Sequence, residues 1–128
     1  MKWKNLHLTV SAIVVILVGL SYGICPGKVL PLFVDLKVES IDVKNLLRAM
    51  MGLYLALAAY WLLGIFKPVY WYSATVICTL FMGGLGLGRI IGIVLDGLPS
   101  LTFIMGMVLE ATSMFWGLTN LRKAKGAT

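Results

Sequence analysis

Three charged side chains lie inside hydrophobic segments and are the strongest candidates for chemistry. They are Arg48, Arg89 and Glu110. A charge at the centre of a bilayer costs roughly 2.5–3.5 kcal/mol on insertion scales, so each of the three needs a partner or water. A guanidinium suits a carboxylate or phosphate, whereas a buried carboxylate can pair with an arginine or carry a proton. The three residues therefore indicate a structural ion-pair network, a binding site for an anionic group, or a site of proton or ion coupling.

The elements that position these charges are four hydrophobic segments. The 128-residue chain is 60% hydrophobic and 12% charged, whereas soluble domains are roughly half apolar and a quarter charged. A helix needs about 20 apolar residues to cross the hydrocarbon layer of a membrane. Segments of about that length occur at 6–24, 43–66, 69–94 and 98–121. They predict a single transmembrane domain of four helices over residues 1–128.

The connections between the segments predict how the helices pack. Pro68 and Pro99 lie in short breaks after the second and third segments, and proline disfavours helix at the residue before it. Helices joined by short turns are antiparallel neighbours, so we predict an all-α, integral membrane, antiparallel four-helix bundle. The longer connection from Cys25 to Asp42 is either a segment lying on the membrane surface or a plain loop. Ser40 is its expected helix N-cap.

The basic residues predict the orientation in the membrane. With the N-terminus inside, the cytoplasmic side carries six of them and the outer connection three, which follows the positive-inside rule. We therefore expect a multi-pass protein of a bacterial cytoplasmic (inner) membrane with both termini in the cytoplasm. The net charge of +6 then indicates attraction to anionic membrane lipids, not nucleic-acid binding.

Small and polar residues recurring every three or four positions predict the face of each helix that points inward. On these faces Arg48, Arg89 and Glu110 lie at similar depth, which predicts one pocket with Asn45, Tyr22 and Tyr54 as polar helpers. The predicted inward residues are Ser11, Val15, Gly19 and Tyr22 in the first helix; Asn45, Arg48, Gly52, Ala56 and Ala59 in the second; Thr75, Thr79, Met82, Gly86, Arg89 and Asp96 in the third; and Gly106, Glu110, Ser113 and Gly117 in the fourth.

Three glycines of the third helix form a separate pattern. Gly84, Gly88 and Gly92 are spaced by four residues and fall on one helix face, as in the small-residue motifs that let membrane helices approach closely. We expect them to pack against a helix of this chain or of a second copy. A dinucleotide-binding loop is disfavoured because no strand precedes the glycines and the GxGxxG spacing is not matched.

Enzyme and metal signatures are weak in this sequence. His7 is the only histidine, and near a helix end we interpret it as a side chain at the membrane interface. Cys25 and Cys78 are expected at different depths, too far apart for a disulfide. We therefore predict no catalytic residue, no metal site and no cofactor.

Two stretches of the sequence carry a resemblance to a known family. SIDVKNLLRAMMGLYLALAAYWLLG at 40–64 and SYGICPGKVLP at 21–31, with the glycine-rich third helix, resemble a family of bacterial four-helix membrane proteins classed as a domain of unknown function. The most recognisable piece runs from Asn45 to Gly52, as N-x-x-R-A-x-x-G. The resemblance implies the four-helix topology and assigns no catalytic residue.

Three functional hypotheses follow from these patterns. The leading one is a module that binds an anionic or amphipathic small molecule or lipid in an intramembrane charged pocket. An alternative is an accessory or oligomerising subunit of a membrane complex, whose partner is a second copy or another membrane protein and whose charges are purely structural. A third is a small transporter coupled through Glu110, which would require a Glu110-dependent flux across liposomes.

Overall fold

The computed structural model describes residues 3–127, which form helices without any strand. The helices are α1 Trp3–Gly23, α2 Pro26–Val29, α3 Ile41–Phe66, α4 Pro68–Asp96 and α5 Leu101–Gly126, with a 3₁₀ turn at Leu30–Leu32. Four of them, α1, α3, α4 and α5, are long and apolar enough to cross a membrane. The prediction of an all-α membrane bundle of four helices is confirmed.

Local sequence signals define the helix ends. Ser40 caps α3, because its hydroxyl accepts a hydrogen bond from the Asp42 backbone N–H at 3.1 Å, as predicted. Pro68 opens α4 directly after α3 ends, and the intervening Lys67 has extended backbone angles. Gly97 ends α4 with a positive φ of 97°, a conformation that L side chains rarely adopt. These short connections make α3, α4 and α5 antiparallel neighbours.

The four long helices pack in chain order, and the two ends of this row touch only in part. α1 lies mainly against α3, α3 against α4, and α4 against α5, whereas α1 and α5 share much smaller contacts. The start of α1, the end of α5 and the α3–α4 turn lie at one end of the bundle, called here the terminal end. The connection from Cys25 to Ser40 and the α4–α5 turn lie at the other, called the loop end.

Glycines allow the closest helix approaches. A Cβ atom on Gly64 would lie 2.5 Å from the Ala74 Cβ, and one on Gly19 would lie 2.9 Å from the Tyr54 Cβ. Both distances are shorter than real Cβ contacts, so glycine is required where α3 meets α4 and α1. The core between these helices includes the fully buried Trp61.

The connection from Cys25 to Ser40 forms an ordered cover on the loop end of the bundle. Leu30, Val34 and Val38 are buried there with Leu47 of α3. The Thr102 hydroxyl at the start of α5 donates to the Phe33 carbonyl at 2.5 Å. The segment is thus packed onto the helices beneath it.

The inward faces predicted for α1, α4 and α5 are largely confirmed, and that of α3 is wrong. Asn45, Arg48, Gly52, Ala56 and Ala59 are all exposed, and α3 instead buries Leu47, Tyr54, Ala58, Trp61 and Gly64. Asp96, predicted inward on α4, is also exposed. The core is filled instead by the bulkier side chains of α3, such as Tyr54 and Trp61, which lie on the opposite side of the helix from its small and polar residues.

Candidate functional site

Arg89 and Glu110 form an ion pair between α4 and α5. The Arg89 Nε donates to both Glu110 carboxylate oxygens, at 3.0 Å and 2.8 Å, and Nη2 donates to Oε1 at 2.8 Å. The Arg89 side chain is 23% exposed and that of Glu110 only 10%. Such charge-assisted, two-pronged pairing is the strongest hydrogen-bonding arrangement available to an arginine. The charges of the two side chains therefore neutralise each other inside the bundle.

One face of α5 supports the Arg89 guanidinium. Phe103, Gly106 and Glu110 follow at three- and four-residue spacing, so they lie on the same side of the helix. The guanidinium carbon lies 5.2 Å from the centre of the Phe103 ring, within the range of a cation–π interaction. A Cβ on Gly106 would lie 3.7 Å from Nη2, so the missing side chain gives the guanidinium room against the helix. Nη1 has no hydrogen-bond partner among the described residues.

Arg48 does not join this pair, so the predicted convergence of three charges is wrong. Arg48 is exposed, and its Nε donates to the carbonyl oxygen of Gly23 at 3.3 Å. That carbonyl ends α1, whose last carbonyls lack partners within the helix, so Arg48 caps α1 at the loop end. Asn45, predicted as a polar helper, is exposed one turn further toward the loop end.

Tyr22 and Tyr54 do lie at the site. Their rings meet edge to face with centres 5.5 Å apart, and Tyr54 makes a second edge contact with Phe81 at 5.3 Å. Tyr54 is buried and Tyr22 half-buried, and both line the cavity that contains Arg89 and Glu110. Of the six predicted binding residues, the structure thus brings together Arg89, Glu110, Tyr22 and Tyr54.

A cavity of about 360 Å³ lies beside the ion pair. It separates α1 from α5, with α4 and Tyr54 of α3 behind it and the cover over the loop end. Its walls are mostly apolar, and Arg89 and Glu110 are the charged residues among those that line it. The lining residues are Val10, Ser11, Val14, Val15, Leu17, Val18, Ser21, Tyr22, Leu30, Phe33, Val34, Leu36, Tyr54, Met82, Leu85, Arg89, Thr102, Phe103, Gly106, Leu109, Glu110 and Ser113.

The cavity opens sideways between α1 and α5. Leu17 on α1 and Leu109 on α5 line it while remaining 63% and 56% exposed, and Phe33 of the cover is 60% exposed. Because these helices have the length and composition of membrane spans, the opening faces the hydrocarbon layer.

The terminal end of the cavity is closed by a polar cluster that the sequence patterns did not predict as a unit. The His7 Nε2 lies 2.9 Å from the Ser113 carbonyl oxygen and 3.2 Å from its Oγ, and the Ser11 and Ser113 hydroxyls are 2.8 Å apart. The Cys78 Sγ lies 4.0 Å from Nε2, and Trp116 meets the imidazole edge to face at 5.6 Å. These five residues, the His7 cluster, link α1 to α5, with Cys78 contributed by α4.

The interpretation of His7 as an interfacial side chain is wrong, since it is fully buried. Gly117 explains how: a Cβ there would lie 3.0 Å from the imidazole Cε1 and would meet the Thr79 hydroxyl, so only glycine lets the ring lie against α5. The available signal was the four-residue spacing of His7 and Ser11, together with the position of Ser113 and Gly117 on the predicted inward face of α5. The position of His7 near the end of α1 favoured an interfacial side chain instead.

Gly84, Gly88 and Gly92 do not pack within the chain. A Cβ at any of them would have no atom of the structure within 4 Å beyond its immediate helix neighbours. Their face of α4 points away from the bundle. Among the described residues, no helix of this chain packs against it, so a second copy remains of the two expected partners.

The structure contains no arrangement of metal ligands in the part of the chain it describes. Groups of three or more histidine, cysteine, aspartate or glutamate side chains that could hold a metal are absent from residues 3–127. Cys25 is exposed and Cys78 is buried, and both are free thiols.

Comparison with known proteins gives a family and no activity. Neither the curated proteins nor the solved structures include a match to this chain. A family model described as Domain of unknown function (DUF4345) matches residues 3–121, which contain α1, α3, α4, most of α5, the ion pair and the cavity. The chain therefore belongs to the DUF4345 family.

Proposed function

We propose that this protein binds an amphipathic molecule from the membrane in the cavity between α1 and α5. Ligand sites are concave and mostly apolar, with a few polar groups that orient the ligand, and their volumes run from about 300 to 1,000 Å³. The cavity of about 360 Å³ fits this description. The observation that carries the proposal is the position of the ion pair inside an apolar cavity that opens toward lipid.

The charge of the site favours an amphipathic ligand over an anionic one. Two arginines beside one carboxylate would give the site a net positive charge, which would favour an anionic ligand. Since Arg48 caps α1 instead, the remaining pair of Arg89 and Glu110 is balanced. Each group of a buried pair already compensates the other, and a further buried charge would lack a partner.

Native mass spectrometry on protein released gently from its membrane tests the proposal. Val14 lines the cavity, so Val14→Trp should fill it and remove a bound mass that the unmodified protein retains. The neighbouring Ile13 is 54% exposed on the outer face of α1 and does not line the cavity, so Ile13→Trp is the matched control. Equal retention of the mass in both variants would place the ligand elsewhere, and no retained mass in any of the three would refute the proposal.

A second candidate function, assembly with a membrane partner, is favoured by the unpacked glycine face. Gly84, Gly88 and Gly92 leave a groove on the outside of α4, and such grooves bring membrane helices into contact. Under this hypothesis Gly88→Leu shifts the size of the detergent-solubilised protein toward the monomer and leaves ligand retention intact. An unchanged size on light scattering would contradict it.

We propose that the protein resides in a bacterial cytoplasmic membrane with the loop end outside and acts without catalysis. The distribution of lysine and arginine supports this orientation. Cys25 is exposed at the loop end and Cys78 is buried, so a membrane-impermeant maleimide should label Cys25 on intact cells. Labelling only after the cells are opened would reverse the orientation, and Cys25→Ser supplies the background.

A further inference from the structure

The dimensions of the cavity specify how many chains it holds. Along α1 it runs from Val10 to Tyr22, roughly 18 Å at 1.5 Å per residue. An engineered apolar cavity of about 150 Å³ holds benzene, which has six carbon atoms. On that scale a volume of about 360 Å³ holds roughly fourteen heavy atoms. The cavity is therefore large enough for a single chain and too small for the two chains of a phospholipid.

Polar groups with unused hydrogen-bonding capacity lie at one end of this slot. Glu110 and Ser113 are one turn apart on α5, beside Arg89, whose Nη1 is unpaired among the described residues. Ser11 and Ser113 bond to each other, and the Ser113 hydroxyl also bonds to His7 Nε2, which leaves each hydroxyl at least one further hydrogen-bonding position. Ser11, Glu110 and Ser113 surround the part of the slot toward the terminal end, and the Arg89 guanidinium lies beside Glu110 nearer the middle of the slot, against Phe103.

The remaining part of the slot, toward the loop end, offers few free hydrogen-bond donors. The Ser21 hydroxyl donates to the Val18 carbonyl at 2.6 Å, and the Thr102 hydroxyl donates to the Phe33 carbonyl at 2.5 Å. Their donor protons are thus used within the protein. Beside them the walls toward the loop end are mostly apolar, with Leu17, Leu30, Phe33, Val34 and Leu36, and Tyr22 is the residue there that also carries a hydroxyl.

The balanced ion pair determines the charge of the headgroup. Arg89 and Glu110 are the charged side chains that line the cavity, and they neutralise each other at 2.8 Å. An added anion would lie against the Glu110 carboxylate and an added cation against Arg89, each without a free counter-charge in a water-poor site. An uncharged hydroxyl or carbonyl can instead accept from Nη1 and bond to the serines at no such cost.

We propose that the ligand is a molecule with one apolar chain and an uncharged hydroxyl or carbonyl headgroup, bound with its head beside Arg89, Glu110 and Ser113. The chain runs toward the loop end under the cover and enters sideways between α1 and α5. An extended chain advances roughly 1.2 Å per bond, so the slot holds about fifteen atoms from head to tail. This inference rests on the proposed function, because it names the ligand class of the same cavity.

Photolabelling with long-chain alcohols tests this inference in the full-length protein in lipid nanodiscs. One tetradecanol probe carries a diazirine beside the hydroxyl and a second carries it at the chain end. We expect the first to label peptides that contain Ser11 or Glu110 to Ser113, and the second to label the cover between Pro26 and Val38. The reversed pattern would overturn the orientation.

Competition against the labelling tests the headgroup. Unlabelled tetradecanol should compete at least tenfold better than tetradecyl sulfate or tetradecyltrimethylammonium, which keep their charge at every working pH, and methyl tetradecanoate should compete like the alcohol. A sulfate that competes as well as tetradecanol would overturn the uncharged headgroup. The probe already competes with an excess of two-chain phospholipid in the nanodisc, so labelling that appears only in phospholipid-free detergent would overturn the single-chain assignment.

Two variants and a matched control separate failure of the inference from failure of the proposed function. Val14→Trp should abolish the labelling and Ile13→Trp should retain it, and equal labelling of both means that the cavity is not the site. Ser113→Ala should weaken tetradecanol binding severalfold. His7 keeps its bond to the Ser113 backbone carbonyl in that variant, so the protein remains folded, and unchanged binding would remove Ser113 from the head site.

Discussion

At the scale of single residues, Arg89 and Glu110 are bound to each other by three hydrogen bonds, and their loss should be strongly non-additive. Arg89→Gln or Glu110→Gln alone leaves an uncompensated charge in the bundle and should lower the free energy of unfolding by about 3–5 kcal/mol. The double variant leaves two amides that can bond to each other, so it should cost much less than the sum. Unfolding of the four proteins in mixed micelles, followed by circular dichroism, gives the coupling energy. Additive costs would mean that the pair contributes no specific interaction.

Arg48 should behave differently because it caps a helix end and lies outside the pair. Its single bond to the Gly23 carbonyl at 3.3 Å predicts a loss of only about 0.5–1.5 kcal/mol for Arg48→Gln. Ligand retention by native mass spectrometry should not change. A loss of the bound mass in this variant would restore Arg48 to the binding site and contradict the charge balance on which the uncharged headgroup depends.

The sequence distinguished these two arginines poorly for a physical reason. Both lie on faces with small and polar neighbours and at similar distances from helix ends, so spacing alone placed them together. What separates them is the rotation of α3, whose apolar residues surround the whole helix and leave its inward face undetermined. Arg89 was placed correctly because Thr75, Thr79 and Met82 mark one face of α4 over several turns, and these residues are buried.

At the scale of helices, the glycines fall into two classes with opposite predicted effects. Gly117 lies where α5 meets Thr79 of α4 and His7 of α1. Gly117→Ala should force these side chains apart and destabilise the protein by about 1–3 kcal/mol. Thermal unfolding in detergent measures the change, and an unaltered midpoint would contradict the tight contact between α5 and the His7 cluster.

Gly88→Ala is the control for that substitution. In an isolated chain it should have the opposite effect on stability. Its Cβ would meet nothing in the structure, and alanine is favoured over glycine in a helix by roughly 0.5–1 kcal/mol. The unfolding midpoint should therefore stay constant or rise slightly. A fall in the midpoint would show that this face is covered in the native state, as the assembly hypothesis requires.

The glycine spacing of α4 shows which residues share a face of the helix but not what that face contacts. A four-residue repeat correctly places Gly84, Gly88 and Gly92 on one face, but it carries no information about what lies opposite. The contacts that require glycine inside the chain include those at Gly19, Gly64 and Gly117, and of these three only Gly19 and Gly117 were placed on an inward face. Their neighbours Tyr54, Ala74 and Thr79 are distant in sequence, so no local pattern could identify these contacts.

At the scale of the whole molecule, the four-helix architecture was predictable and the cavity was not. Length, hydropathy and the proline breaks determine four spans and their antiparallel order, because a bilayer admits few other solutions. Whether α1 closes against α5 depends on the fit of side chains along two helices at opposite ends of the row. The helices meet at the His7 cluster and diverge toward the loop end, where the cover extends over the gap.

A cryo-electron microscopy structure of the protein in nanodiscs of lipids from its own membrane would show directly whether the cavity holds a ligand. We expect one continuous, chain-wide density in the slot between α1 and α5, with its head beside Arg89 and Ser113 and its tail under Phe33. A bundle in which α1 packs against α5 along its whole length, with no slot and no density, would contradict the binding function. The Arg89–Glu110 pair would then be a purely structural link between α4 and α5.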